Sequence, residues 1–320
     1  MKYAIGIDLG GTDIKAGIIN TNGKILFTKS ISTDALSGSE KVILNIKKLI
    51  AECLEFSKKE KIKISGIGLG SPGLVDDQKG IIIGGAINIS EWKNIRLANI
   101  LKKEFKLNTY LDNDVNMVVL GEYFFGAGKN TTNCVCITLG TGIGGGIIID
   151  KKLYRGSFGF AGEIGHISII YEGLKCNCGG IGCLEAYAGK NAFIEKAKMA
   201  IKKGFATSIL KAVENDLTKI TPKIICDEAR NGDHLSKMIV QDIARYIGAA
   251  LASVINILNP EIIIIGGGIS HAGDLLLDPI KDSIKKFALD LSIKNLKIVQ
   301  AKLGNNAGIF GSCAKVFSKK

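Results

Sequence analysis

One imidazole and three thiols stand close together in this chain, spaced His166-x₉-Cys176-x-Cys178-x₄-Cys183. One nitrogen and three sulfurs make a Cys₃His set suited to tetrahedral zinc, and four protein ligands leave no open position for Lewis-acid chemistry. Gly179, Gly180 and Gly182 let the backbone fold tightly round an ion. The set is flanked by two carboxylates, Glu163 and Glu185. Just upstream, the apolar run from Cys134 to Leu139 meets Gly140, Thr141 and Gly142 and continues into Ile147–Ile149. Strand, glycine turn and strand bring backbone N–H groups up to phosphate oxygens.

The stretch TYLDNDVNM carries a second possibility. A short extended run ends in Asp112-Asn113-Asp114 before a helical segment, and strand ends are where α/β proteins present reactive groups. A carboxylate there could accept the proton of an attacking hydroxyl, with the amide of Asn113 orienting the substrate. On the residues alone both Asp112 and Asp114 qualify, and Asn-Asp could equally cap the helix. Asp8 ends the first strand just before Gly10, Gly11 and Thr12, where a carboxylate could hold Mg²⁺ beside nucleotide phosphates or simply form the turn. Gly266, Gly267 and Gly268 follow IIII near the other end and offer a floor for adenine and ribose, or a tight strand-to-helix turn.

Two familiar nucleotide folds are excluded by context. Gly140, Gly142 and Gly145 fit G-x-G-x-x-G, but they lead into strand residues where a dinucleotide fingerprint must open a helix. No G-x-x-x-x-G-K-[ST] occurs.

LGTGIGGGIIIDKKLYRGSFGFAGEIGHISI with CNCGGIGCLE, together with DLGGT, SPG, NDVN and IIIIGGGIS, resembles the ROK family of bacterial sugar kinases and related repressors, and most of all its glucokinases. The resemblance implies an α/β fold of the two-domain, actin-like or hexokinase type (ribonuclease H-like), with an inter-domain cleft. The implied domains are 1–117, completed by the C-terminal helix 305–320, and 118–304, which carries the zinc site. It implies transfer of the γ-phosphoryl of ATP to a hexose, glucose before others, with Mg²⁺ on the phosphates and zinc in a structural role. Asp114 would then be the base. Asn88, Asn113, Asp114, Glu163, His166 and Glu185 would meet sugar hydroxyls, although Asn88 could equally cap a turn. Asp8, Gly10, Gly11, Thr12, Thr141, Gly142, Gly266 and Gly267 would meet the nucleotide. A homodimer or homotetramer is implied. Related substrates are N-acetylmannosamine, N-acetylglucosamine, fructose and allose. A sugar-responsive repressor is the reading from another class, and the chain, opening at MKYAIGIDLGGT, leaves no room for a preceding helix-turn-helix. One departure from the family is Asp13 after Thr12, where many members have lysine; here the lysine is Lys15.

The elements that must position these groups follow from hydrophobic pattern. Residues 3–27 read as strand, glycine turn, strand, polar turn, strand, and the same order recurs with an offset of 130, so that Leu9 falls on Leu139, Gly10 on Gly140, Ile18 and Ile19 on Ile148 and Ile149, and Asn20 on Asp150. This predicts a duplication whose two glycine turns clamp phosphates. Residues 40–63 carry helical periodicity, 64–69 a buried strand, 202–236 a polar helical stretch, and DIARYIGAALASVINILNP a long helix stopped by Asn259-Pro260. A last helix, Asn306 to Phe317, has small residues on one face and is expected to pack back on the N-terminal domain.

At 320 residues, 46% apolar, with 40 glycines and 4 prolines, the chain is globular α/β and neither disordered nor collagenous. Its net charge of +12 comes from scattered lysines, with only Arg96, Arg155, Arg230 and Arg245 among 42 basic residues, so no nucleic acid partner is expected. No uninterrupted apolar run reaches membrane-spanning length and Asp8 breaks the N-terminal one, predicting a cytoplasmic protein with no membrane partner. The other five of the eight cysteines sit among apolar or helical neighbours and read as reduced core residues.

Overall fold

The computed structural model describes residues 1–86 and 88–319. The N-terminal apolar runs form β1 (Tyr3–Leu9), β2 (Asp13–Asn20) and β3 (Ile25–Ser32). In α1 (Ser39–Lys59), Val42, Ile46, Leu49, Ile50 and Cys53 fall at helical spacing on the buried face. Next come β4 (Ile64–Ser71), a hairpin of β5 (Leu74–Asp76) and β6 (Ile81–Gly84), α2 (Leu97–Phe105), β7 (Thr109–Asn113) and α3 (Asp114–Phe125). The second half runs β8 (Cys134–Leu139), β9 (Ile143–Ile149), β10 (Lys152–Tyr154), α4 (Leu184–Ala188), α5 (Lys190–Lys202), α6 (Ile209–Ala212), α7 (Pro222–Arg230) and α8 (His234–Leu258). It continues with β11 (Ile262–Gly266), α9 (Asp274–Phe287), α10 (Asp290–Ile293), β12 (Lys297–Gln300) and α11 (Ala307–Phe317).

Two five-stranded sheets have the same plan, β3-β2-β1-β4-β7 and β10-β9-β8-β11-β12. In each, an antiparallel hairpin is extended by parallel strands. This is the expected duplication, with one correction to its register. Ala4 pairs with Ile19 and Cys134 with Ile148, so the offset is 130 before the glycine turn and 129 after it. The second turn is a residue shorter, and Ile18 and Ile19 correspond to Ile147 and Ile148.

The chain divides into two compact units, one of residues 1–130, 153–161 and 302–320, the other of 131–152 and 162–301. The first reaches Asn130 and not 117, because α3 packs along α11. Its core lies between the sheet, α1 and α2, where Ile5, Ile7, Leu69, Ile46 and Leu111 are fully buried. On the other face α11 meets the sheet at backbone distance. Ser312 Oγ donates to Ile7 O (2.8 Å), and a Cβ at Gly68 would lie 1.9 Å from Ser312 O. Glycine is required there, which explains the small residues.

In the second unit the sheet's core joins α4, α5, α7, α8 and α9, and the stretch expected to be merely polar supplies buried Ile209, Val213, Ile220 and Ile225. Among the described residues α8 alone has the length and composition to cross a membrane. Most of its apolar window is buried in this core, where Ile243, Ile247 and Leu251 are fully covered. Asn259 closes it in the left-handed conformation, φ 42°.

Candidate active site

In the first unit, β1 and β7 lie either side of β4 and end at the same edge, so Asp8 and Asn113-Asp114 are delivered together. Asn113 caps α3: its Oδ1 accepts from Val115 N (2.9 Å) and Asn116 N (3.3 Å). Its Nδ2 donates to Gly73 O (3.0 Å), which fixes the Ser-Pro-Gly turn against the helix start. Trp92 Nε1 holds the same turn through Ser71 Oγ (2.9 Å). Asp114 is the first residue of α3, half-buried, with its Oδ1 accepting from Val115 N (2.9 Å).

Asp8 and Asp114 sense each other. Burial pushes the Asp8 carboxyl up to about 6, the charge of Asp114 adds to the rise, and Lys15, its cross-strand partner, opposes it. Lys15 also donates to Asn305 O (2.7 Å), and a Cβ at Gly308 would lie 2.4 Å from the Asp8 carboxylate, so the start of α11 closes on this group. Two neighbouring half-buried carboxylates form a donor set that fits a hard divalent cation. A carboxyl that keeps its proton to about pH 6 when folded, against 3.8 when unfolded, lowers stability as pH rises through that window and lowers it fully above. In ligand-free protein without Mg²⁺, Asp8→Asn is therefore expected to be the more stable form at pH 8 by about 2–3 kcal/mol, an advantage that disappears near pH 4. Thermal melts of both proteins across that range test this; parallel pH curves would contradict it.

Asp112, one residue before the cap, has a different fate. Its Oδ1 accepts from Asn116 Nδ2 (2.9 Å), and its Oδ2 accepts from Lys315 Nζ (2.7 Å) and Arg155. Asp77 shares Lys315 (2.8 Å) and lies 3.5 Å from Arg155 Nε. Burial alone would raise the Asp112 carboxyl, but Lys315 and Arg155 outweigh it and hold the group below the usual carboxylate range. Two acids and two bases form a network, with Asp112 and Lys315 buried and Asp77 and Arg155 half-buried, and Asp112 has no capacity left to take a substrate proton. Lys315 lies 203 positions away, which hides this from sequence.

The first glycine turn is closed by Gly10 N donating to Asp13 O (3.0 Å), with Thr33 Oγ1 donating to Gly10 O (2.7 Å). Gly11 and Thr12 are exposed at its tip, and Asn88, also exposed, backs Gly11 so closely that a Cβ there would lie 3.2 Å from its own.

The second unit repeats the device, with Gly140 N donating to Gly142 O (3.0 Å) and Thr141 exposed. Gly267 (φ +83°) packs on the end of β8, where a Cβ would lie 2.3 Å from Leu139 O, so Gly266 and Gly267 stand beside this turn. Glu185, in the first turn of α4, accepts from Ile143 N with Oε2 (2.8 Å). One of its oxygens is thus committed to the glycine loop, a contact with no local signal in the chain. Thr141, Lys175, Cys176, Glu185 and Gly189 line a cavity of about 240 Å³.

Glu163 is exposed and His166 half-buried, on a short helical turn closed by His166 N donating to Glu163 O (3.0 Å). The ligand atoms of His166, Cys176, Cys178 and Cys183 all lie within 4.8 Å of one another. His166 Nδ1 is 3.8 Å from Cys176 Sγ, and Cys178 Sγ is 3.7 Å from Cys183 Sγ. Sulfurs about 2.3 Å from a tetrahedral centre stand about 3.8 Å apart, so the spacing fits zinc. Gly180 N approaches Cys178 Sγ (3.4 Å), and this and the neighbouring thiols lower the Cys178 thiol, while burial and the same thiols push Cys183 up to about 12. Gly179 (φ +93°) and Gly182 (φ +76°) make the turns; a Cβ at Gly182 would lie 1.9 Å from Ile170 O. With Nδ1 at the metal position, Nε2 is the ring nitrogen left for a ligand.

Two sheets of one plan, each with a glycine turn between its first strands, and carboxylates at the strand ends of the first, define the fold class of the actin-like and hexokinase-type ATPases. Residues 4–318 match the ROK family, and the chain belongs to it. It is 38% identical over 312 residues to a glucokinase of Halalkalibacterium halodurans, covering 97% of this chain and 93% of that one. A xylose repressor of Caldicellulosiruptor bescii is 34% identical over 98% of this chain and 78% of its own length. A ROK family glucokinase from Streptomyces griseus, solved with glucose and AMPPNP, superposes with a TM-score of 0.82 at 35% identity, covering 97% and 98% of the two chains.

Proposed function

We propose that this chain is an ATP-dependent glucokinase, making glucose 6-phosphate and ADP. The observation that supports it best is the pairing of near-full-length similarity to glucokinases with an Asp114 that opens α3 beside Asp8 at the end of the sheet. In this reading the Asp114 carboxylate accepts the proton of the glucose 6-hydroxyl as that oxygen bonds to the γ-phosphorus and the bond to the β-phosphate oxygen breaks. Asn88, Asn113, Glu163, His166 and Glu185 hold the other hydroxyls. The exposed tips at Gly10–Thr12 and Thr141–Gly142, with Gly266 and Gly267, hold ATP through backbone N–H groups. Asp8 would hold the Mg²⁺ that accompanies ATP and offsets its phosphate charge. His166, Cys176, Cys178 and Cys183 would hold one structural zinc.

The repressor relative supports a second reading, sugar binding without turnover, and the same carboxylates could serve both. A hexose panel separates them: kcat/KM with ATP for glucose, fructose, allose, N-acetylglucosamine and N-acetylmannosamine, with the product position assigned by NMR. Glucose is expected to lead, by at least about tenfold, and to yield the 6-phosphate. Another hexose in front would move the substrate, and no turnover of any would favour the repressor-like reading.

A further inference from the structure

We propose that Glu122 is a positioning residue for phosphoryl transfer, its carboxylate fixing the segments by which the chain first leaves the first unit and last returns to it. Glu122 lies on α3 and is fully buried. Its Oε2 accepts from Ala127 N (2.9 Å) and Lys302 N (3.1 Å), and its Oε1 from Leu303 N (2.7 Å). Its backbone carbonyl accepts from Gly126 N (3.1 Å) and Gly128 N (2.9 Å). Residue 126 is glycine for a stated reason: a Cβ would lie 2.1 Å from Oε2. A buried carboxylate is retained at such cost only where its hydrogen bonds are made, and here backbone donors from segments 175 or more positions apart make them.

Those donors sit where the chain changes unit. It first passes to the second unit after Asn130 and returns to the first for the last time at Lys302, with 153–161 an excursion back between them. On the return, Ala301 N is held by Ile265 O (2.9 Å) and the very next N–H, of Lys302, is held by Glu122. On the way out, Gly128 is held by Glu122, while Thr132 N and Asn133 N are held by Glu261 Oε1 (2.8 and 3.0 Å). Only Lys129, Asn130 and Thr131 lie between those anchors, and Asn130 stands at φ +69°. The same helix carries Asp114 at its start, two turns from Glu122, about 12 Å along the axis. One helix therefore presents the proposed base and grips the first and last crossings. Misplacing a reacting group by about 1 Å costs on the order of a hundredfold in rate, so this grip bears on turnover more than on the binding of one ligand.

Glu122→Gln tests it, because the amide nitrogen cannot accept and one grip is lost with little change of volume. In variant protein that still melts cooperatively above the assay temperature, two results are expected. Tryptic cleavage after Lys129 should quicken by about tenfold or more, reporting local opening. The kcat should fall about ten- to a hundredfold while the Kd for glucose, titrated calorimetrically, stays within about twofold. Unchanged cleavage with unchanged kcat would overturn the proposal. So would kcat, glucose affinity and melting temperature falling in step, which would make Glu122 a core residue only. If Glu122→Gln does not fold, exposed Glu261→Ala decides: it removes the oxygen that holds Thr132 N and Asn133 N, releases one anchor of that crossing and should quicken the same cleavage, and unaltered cleavage would refute the role. The kinetic arm rests on the kinase reading. Absence of hexose kinase activity in the parent protein would defeat that reading, and the cleavage arm would still judge the grip.

Discussion

Asp114→Asn is expected to lower kcat by at least about a hundredfold while fold, zinc content and glucose affinity stay close to those of the parent protein. The side chain opens α3 half-buried, so an amide of the same shape keeps the helix start polar but cannot accept a proton. The variant also removes the charge that helps raise Asp8, so the Asp8 carboxyl should move back towards the ordinary range. Asp112→Asn is the matched comparison. It leaves buried Lys315 and half-buried Arg155 sharing one carboxylate fewer, so its cost should appear as stability, about 3–5 kcal/mol, with kcat per folded molecule largely kept. Steady-state kinetics and chemical denaturation on both variants settle the division. Near-normal turnover in Asp114→Asn would sink the assignment, and a larger kcat loss in Asp112→Asn would transfer it.

The second large effect concerns the metal. Purified protein should carry about one zinc per chain, and Cys178→Ala should lose it while raising KM for glucose more than KM for ATP. Cys178 is exposed and has no proposed contact with sugar, so any change in sugar affinity must travel through the loop. The path is short. Cys183 is the N-cap of α4, Glu185 is in its first turn, and Leu184 N is held by Ile167 O (2.9 Å) beside His166. Some loss will reach the nucleotide side, because Glu185 also holds Ile143 N. It should be the smaller loss, since the Gly140 turn is closed by its own hydrogen bond and strand pairing. Elemental analysis and kinetics on variant protein shown folded by circular dichroism would check this. Equal changes in both constants, or none, would leave the metal as a staple.

What could be read from sequence was what is local. The strand–glycine–strand runs at Leu9 and Leu139, the four metal-ligand candidates and the Asn259 helix stop depend on neighbours within a few positions, and their spacing displays them. The sheet plan followed from seeing one pattern twice. The shorter second turn escaped notice because isoleucine recurs at 147, 148 and 149, so a one-residue slip leaves the hydrophobic match intact. The roles of Asp112, Glu122 and Glu185 were invisible for another reason. Lys315 lies far along the chain from Asp112, as Lys302 does from Glu122 and Ile143 from Glu185, and each pairing exists only once the chain has folded. Pattern distinguishes a buried apolar residue from an exposed polar one; it has no term for a buried carboxylate satisfied by distant backbone.

The central claim is that hexose, not water, receives the phosphoryl group. ADP release by the purified protein, followed with saturating MgATP in the presence and absence of glucose, tests this most directly. Glucose should raise the rate by at least about tenfold, with one glucose 6-phosphate formed per ADP. A rate of ADP release that glucose does not change, or ADP without matching sugar phosphate, would contradict it.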